Sequence, residues 1–535
     1  MSTIDPVTLE VFKNLVLAIP EEMGANLRRT AFSPNIKERL DESCALFDKR
    51  GRLIAQAEHI PVHLGAMPSA VKAVASDFPK LGPGDQVIVN DPYCGGSHLP
   101  DITIIAPFFW KETLKGYAVN RAHHADVGGT TPGSMPGVSR DLTEEGIVIP
   151  PTLFVHDHVL ARDVLKRFEE ETRNPLERFG DLNAQVGANR LGVSRCMDFM
   201  DRYGEAAFDS FVEGIIRYTG KRVSAHLSIL PQGVAKATDY LEGADAPLAI
   251  TVRVRIRRSG FVADFTDTAP QSRGNANTPL SVTCSAVYYA LRCLLPPDIP
   301  PNHGCYENVR VIAPEGSLLN PRPPAAVSSG NVETSQRIVD TLLLALRDLL
   351  PDQIPAQGQG TMNNLAIGWQ GKTYYETIAG GMGASPHSDG ASAVQVHMTN
   401  TANTPTEALE TAYPIRVVKT ALREGSGGAG THSGGMGVTR ELLLLEDAVV
   451  SIQSERRVFP PKGIAGGDDG RAGSNTLKGV GGKERTLPGR CTFTAQKGER
   501  IVIDTPGGGG WGRPTTSLPT PHSSKGSHAK SRGHS

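Results

Sequence analysis

Apolar and polar positions divide this chain into segments of different period. Asp5-Pro6 supplies an N-cap and a first-turn proline. Val7, Val11, Leu15 and Ile19 then recur at helical spacing, with Leu9, Phe12 and Val16 broadening the face. This predicts an N-terminal helix that Pro20 kinks or ends, with a second helix running on to about Arg29. Cys44–Phe47 and Leu53–Gln56, joined by Asp48-Lys49-Arg50-Gly51, read as strand, turn, strand. Gln86–Asn90 is a short buried strand. Ile102–Trp110 and Tyr117–Ala122, rich in β-branched and aromatic residues, form a hairpin over the polar link 111–116. Between Ala161 and Ile229, charged residues alternate with Leu, Phe, Val and Ile at three- and four-residue spacing, which predicts helices. Within that region, 180–190 is small and polar on one side, as in helices that pack closely or face a site. Leu248–Thr268 alternates as a hairpin turning at Arg258-Ser259-Gly260. Helices follow at Val282–Leu295 and Thr334–Leu350, and strands at Leu365–Trp369, Thr373–Ile378 and Gly437–Leu445, with glycine-rich chain between the last two. The class is α+β, a large multi-part chain with mixed and antiparallel sheets and a helical middle segment. The expected regions are 1–155 (α+β), 156–245 (helical), 246–512 (mixed and glycine-rich) and 513–535, a Pro/Ser/Thr/His/Lys tail read as disordered.

Composition narrows the function classes. With 55 basic and 56 acidic residues, the net charge of −1 gives no reason to expect nucleic acid or a membrane surface as partner. No stretch is apolar for long enough to span a bilayer, and the N-terminus lacks the basic and apolar parts of a signal peptide. The seven cysteines are scattered, odd in number and without a CxxC pair, which fits a reducing, cytoplasmic setting. Cys94 lies among the His/Asp residues described next and is read as a spectator. The 58 glycines and 39 prolines cluster between periodic segments, so they signal loops pinned to a scaffold.

The candidate chemistry sits in Asp91-Pro-Tyr-Cys-Gly-Gly-Ser-His98-Leu-Pro-Asp101 and Asn120-Arg-Ala-His123-His124-Ala-Asp126. Folding the hairpin places Asp101 across from His124, give or take two residues, with His98 one short turn before Asp101. Imidazole and carboxylate together suit Zn, Mn or Fe. Such pairs also cap turns, which is the plainer reading. His123 and His124 point to opposite faces of a strand, so only one can ligate without a bulge. His123 is the chosen ligand, with His124 or Asp126 orienting a ligand or water behind it.

Other motifs do not carry function. Gly371-Lys372-Thr373 resembles the end of a P-loop, but the upstream glycine position holds Ala366 and a strand follows, so it reads as a hairpin turn. The runs Gly425–Gly437 and Gly507–Gly510 open no helix as GxGxxG. They read as turns or as close backbone approaches to a ligand or partner. A GxSxG elbow is missing.

Long stretches of the chain resemble the hydantoinase B/5-oxoprolinase family, which includes B subunits of ATP-dependent hydantoinases and the α-type subunits of acetone carboxylase-like enzymes. The matching stretches are Ser33–Phe47, Asn90–Asp101, His123–Gly129, Gly180–Gln185, Leu319–Ala326, Gly330–Arg337, Ser426–Gly430 and Thr505–Gly512, spread over about residues 5 to 513. The resemblance implies one divalent ion, Zn, Mn or Fe, held by Asp41, His98, Asp101 and His123. Glu38 is the alternative to Asp41, and a salt bridge to Arg39 or Lys37 is the structural reading of both. It also implies an A-type subunit that uses ATP to phosphorylate a small cyclic amide. This chain would then hydrolyse the phosphorylated lactam with a metal-activated water, His124 or Asp126 taking the proton, and amides of Gly95-Gly96 or Gly128-Gly129 stabilising charge. The alternative it implies is the metal-binding subunit of an ATP-dependent ketone carboxylase of the acetone or acetophenone type. The chain departs from the family at Thr431-His432-Ser433, where a basic residue is expected nearer the Gly-Gly pair, and this counts against a phosphate contact by that loop.

Overall fold

A computed structural model describes residues 5–57 and 59–514. The segment expected to be a disordered tail lies, from residue 515 onward, outside the described residues.

The N-terminal sheet has seven strands: β1 (Glu42–Asp48), β2 (Leu53–Gln56), β3 (Gln86–Val89), β4 (Asp101–Trp110), β5 (Thr113–His123), β6 (Thr152–His156) and β7 (Val159–Leu160), in the order β2-β1-β5-β4-β3-β6-β7. All its pairings are antiparallel. β1 is buried throughout because the period of two sends its side chains alternately into two cores. Cys44 and Leu46 join the cluster built on α1 (Pro6–Thr30), while Ala45 and Phe47 join Val71 and Val74 on the other face.

The first helix departs from the sequence expectation in two ways. It runs unbroken through Pro20, and its buried stripe is Phe12, Val16, Ile19, Met23 and Leu27. Val7, Val11 and Leu15 face outward, Val7 at 74% exposure. Proline removes one backbone donor, but Pro20 and its neighbours Ile19 and Met23 are buried, so packing holds the helix together. The periodicity alone could not choose between two overlapping apolar stripes.

Then come α2 (Pro34–Lys37), α3 (Ala66–Asp77), α4 (Arg162–Glu171), α5 (Pro175–Tyr203) and α6 (Glu205–Ile229). The polar side of α5 lies against the sheet. Gln185 Nε2 donates to Ile102 O at 2.9 Å, and Asn189 Nδ2 donates to Ile104 O at 2.9 Å. Asp181 Oδ1 accepts from the amides of Phe32 and Ser33 at 2.7 and 3.0 Å, anchoring the loop that leads to Asp41.

A second, four-stranded sheet contains the expected hairpin Leu248–Arg257/Gly260–Asp264 and packs on α7 (Leu280–Leu294) and α8 (Ser335–Arg347). A π-helical turn, Gly330–Thr334, precedes α8. Two further sheets share a core of Leu365, Ile367, Val450 and Ile452 with Leu442, Leu444, Ile501 and Ile503. The hairpin Asn364–Trp369/Lys372–Thr377 turns at Gly371, which has φ +72°, as expected of the discounted P-loop look-alike.

The glycine-rich segments pack against one another. Gly508 N donates to Gly435 O at 2.9 Å, Gly428 N to Gly508 O at 2.9 Å, and Gly435 N to Met382 O at 2.8 Å. The close approaches are thus within this chain, where the sequence had left a ligand or partner open. Among the described residues, no helix is long and apolar enough to cross a membrane.

Candidate metal centre

Strand pairing brings the expected residues together. In the β4–β5 register Asp101 sits opposite His123, one residue from the centre of the expected range. His98 is carried by the loop before β4, and its Nδ1 lies 3.1 Å from Asp101 Oδ2. Donor atoms of His98, Asp101 and His123 all lie within 4.8 Å of one another, and all three residues are buried.

Asp41 arrives from the other side of β5. His123 N donates to Asp41 O at 3.0 Å, and Leu40, at φ +58°, turns the chain so that Asp41 enters the same cavity. Glu38 is not among the residues lining it. Residues far along the chain close the wall, including Asn331 and Val332 of the π turn, Met362, Tyr375 and Met398. The cavity is about 20 Å³, room for an ion or one water.

The ring of His123 is held on two sides. Tyr375 stacks on it at 4.6 Å with planes 9° apart, and the Asn35 amide lies 3.1 Å from Nδ1. As placed, Asn35 Nδ2 faces Nδ1 while Asn35 Oδ1 accepts from Arg39 Nη1 at 3.4 Å, and ligation through Nε2 requires the amide to turn so that its oxygen accepts from Nδ1–H. Arg39 braces this wall by donating to Tyr375 O at 3.1 Å and Thr377 Oγ1 at 3.0 Å. Ser97 Oγ donates to Asp101 Oδ2 at 2.5 Å.

Burial pushes the Asp41 carboxyl up to about 7, Arg39 opposing and Asp101 adding to the rise. Burial works the same way on Asp101, but His98 and His63 outweigh it and hold that carboxyl well below the usual range. Burial, then His98, keeps the His123 imidazole neutral far into acid. Among the described residues, Nε2 of His98 and Nε2 of His123 are buried with no hydrogen-bond partner, while His98 Nδ1 pairs with Asp101 Oδ2. Unpaired buried nitrogens of this kind are costly. Two imidazoles and two carboxyl groups around so small a space make a donor set that fits a divalent cation.

His124 and Asp126 lie elsewhere. The strand turns His124 to the opposite face, where its Nε2 lies 2.9 Å from Gln185 Oε1 on α5. Asp126 accepts from Gly128 N, Gly133 N and Arg173 Nη1, each at 2.9 Å. Neither lines the cavity. Gly96 N and Gly128 N are used within their own loops, on Asp91 O and Asp126 Oδ1.

Neither spacing nor motif singles out His63, Asn35 or Tyr375 as part of this site. His63 follows Ile60-Pro-Val as an isolated histidine, and Tyr375 reads as an ordinary strand aromatic.

A second buried cluster, Glu42, Cys44 and His59, lies on the α1 side of β1. Its donors are already occupied: Arg28 Nη1 donates to Glu42 Oε1 at 2.7 Å and Cys44 N to His59 Nδ1 at 3.2 Å. Burial raises Glu42 to about 7, and burial followed by Arg28 lowers His59 to about 3. Protonated Glu42 therefore stabilises the fold below its unfolded value of 4.5, an advantage lost as pH rises through 7. Neutral His59 stabilises the fold above 6.5, an advantage lost as pH falls towards 3. Between 4.5 and 6.5 the two slopes oppose each other. Glu42→Gln should unmask the His59 slope, a relative loss of about 1.4 kcal/mol per pH unit on acidification. Urea midpoints of wild type and variant across that window check this, and parallel profiles would contradict it.

The hydantoinase B/oxoprolinase family matches residues 5–514. The chain is 41% identical over 536 residues to 5-oxoprolinase 1 of Arabidopsis thaliana, covering 95% of this chain and 42% of that one. It therefore spans about two-fifths of that relative's length. Its fold superposes on the ATP-dependent caprolactamase of Pseudomonas jessenii with a TM-score of 0.90 at 29% identity, covering 96% of this chain and 92% of that one. The fold is also shared with nucleotide-free acetone carboxylase, with a TM-score of 0.88 at 17% identity, covering 95% and 76% of the two chains. The chain belongs to the hydantoinase B/oxoprolinase family.

Proposed function

We propose that this chain is the B-type subunit of an ATP-dependent cyclic-amide hydrolase and works with an A-type, ATP-binding partner. The observation that carries the reading is the cavity of His98, Asp101 and His123, with Asp41 on its wall and imidazole nitrogens that lack partners. The likeness to an ATP-dependent caprolactamase supports the reaction class. This chain covers 42% of 5-oxoprolinase 1 of Arabidopsis thaliana, which supports a partner supplying the remainder.

Asp41, His98, Asp101 and His123 are the residues that would hold a divalent ion, Zn, Mn or Fe. Such an ion supplies Lewis acidity and lowers the pKa of water towards about 7. The protein's own contribution is to prepare that place. Ser97 fixes the Asp101 carboxylate, while Tyr375 and Asn35 fix the His123 ring, so ordering these groups costs little when a substrate arrives. Apolar walls from Ile60, Val62, Met362 and Met398 exclude bulk water from an activated amide carbon. In this reading His124 and Asp126 brace the site from outside: His124 ties β5 to α5, and Asp126 holds the turn at Gly128–Gly133 against Arg173.

The test is co-expression with an A-type subunit and incubation with ATP and hydantoin, 5-oxoproline or caprolactam. Ring opening with matching ADP and phosphate release, and with no need for bicarbonate, is the expected result. Consumption of acetone or acetophenone that requires bicarbonate would replace this reading with the carboxylase one.

A further inference from the structure

The cavity contains one imidazole whose hydrogen bonding differs from that of the others. His63 lies on the short helical turn Pro61–His63 and is buried. Its Nδ1 lies 2.6 Å from Ser43 Oγ, and Ser43 Oγ in turn accepts from Ile60 N at 3.2 Å. A serine hydroxyl has one proton to give, and among the described residues the only acceptor found for it is His63 Nδ1. Nδ1 is therefore an acceptor, and the ring proton resides on Nε2. Nε2 faces the cavity 3.6 Å from Asp101 Oδ2, within ion-pair range but too far for a hydrogen bond, and has no hydrogen-bond partner among the described residues.

His63 thus presents a buried N–H donor to the same space that ring nitrogens of His98 and His123 enter. A cation satisfies lone pairs but repels an N–H. An oxygen atom satisfies the N–H. We propose that His63 is a water-positioning residue: its Nε2–H donates to a water oxygen in the cavity, while Asp41, His98, Asp101 and His123 hold the cation. Ser43 and the Ile60 amide fix the tautomer that makes this division possible. The proposal rests on the reading of the cavity as a metal centre and adds a donor that the ligand set lacks.

The test uses the full chain loaded with Co(II) and titrated with fluoride, a small acceptor of hydroxide size, followed by visible absorption. His63→Ala should retain the cobalt stoichiometry and lose fluoride affinity about 10-fold or more, the worth of a hydrogen bond to a charged group. His63→Gln, which keeps an N–H donor, should recover much of the affinity, and Ser43→Ala should fall between. Thermal midpoints establish that each variant is folded. Fluoride affinity unchanged in His63→Ala overturns the proposal. So does loss of the cobalt that glutamine fails to restore, since His63 would then be a ligand. A wild-type chain that takes up no metal at all overturns the metal centre instead. The tautomer is then read alone from ¹⁵N-histidine spectra of wild type against His63→Gln, where an Nδ1-protonated ring would sink the His63 assignment as well.

Discussion

A chain carrying His98→Ala and Asp101→Ala together is expected to lose its divalent ion and remain folded. The wild type should contain one divalent ion per chain by elemental analysis, and the variant close to none. Two of the four donors disappear, and those left, Asp41 before β1 and His123 at the end of β5, do not make up a four-donor set. The low pKa of Asp101 depends on His98 and His63, so deleting the carboxylate also removes the main counter-charge in the cavity. The fold should survive because the hairpin that carries the site is secured elsewhere. Gln185 and Asn189 hold β4, and the strands bury Ile102, Ile104 and Val119 on their two faces. Circular dichroism and a thermal melt check this. If the wild type stays metal-free after Mn and Zn are supplied, the four residues are structural or acid–base groups and the proposed chemistry fails.

Gly508→Ala and Gly434→Ala are expected to be among the most destabilising single changes in the chain, each on the order of 4 kcal/mol. A Cβ on Gly508 would lie 2.0 Å from Met382 O and 2.3 Å from its carbonyl carbon, and one on Gly434 would lie 1.9 Å from Gly508 O. These neighbours are backbone atoms that no rotamer change can move. Relief requires separating glycine segments that hydrogen-bond to each other, and this would break the Gly508–Gly435 and Gly428–Gly508 bonds. Gly187→Ala in α5 is the contrast: its Cβ meets nothing nearer than Asn26 Oδ1 at 3.9 Å. It should stabilise the helix by roughly 0.5–1 kcal/mol. Urea midpoints distinguish the cases, and a Gly508→Ala chain as stable as wild type would refute the account of the glycine layer.

Much of the site was legible because it is local. His98, Asp101 and His123 belong to one loop and one hairpin, and hairpin geometry alone brings strand ends together. Strand alternation alone also separates His123 from His124. Asp41 is different: no spacing rule relates it to the hairpin, and the family resemblance supplied it. His63 and Tyr375 were not legible at all, since one stands on an isolated turn and the other in a strand more than 250 residues after His123.

The sequence by itself determined many of the helices and strands, the α+β class and, to within two residues, the pairing that brings Asp101 to the end of β5, because each follows from short-range periodicity and turn chemistry. Tertiary structure decided which stripe of α1 is buried, and that Pro20 does not break it. It also decided that the glycine runs fill a layer within the chain, that His124 and Asp126 face away from the cavity, and that His63 faces into it. The physical reason is common to all of these. Each depends on which distant surface removes a side chain or a backbone group from water, and a periodic pattern does not encode that partner.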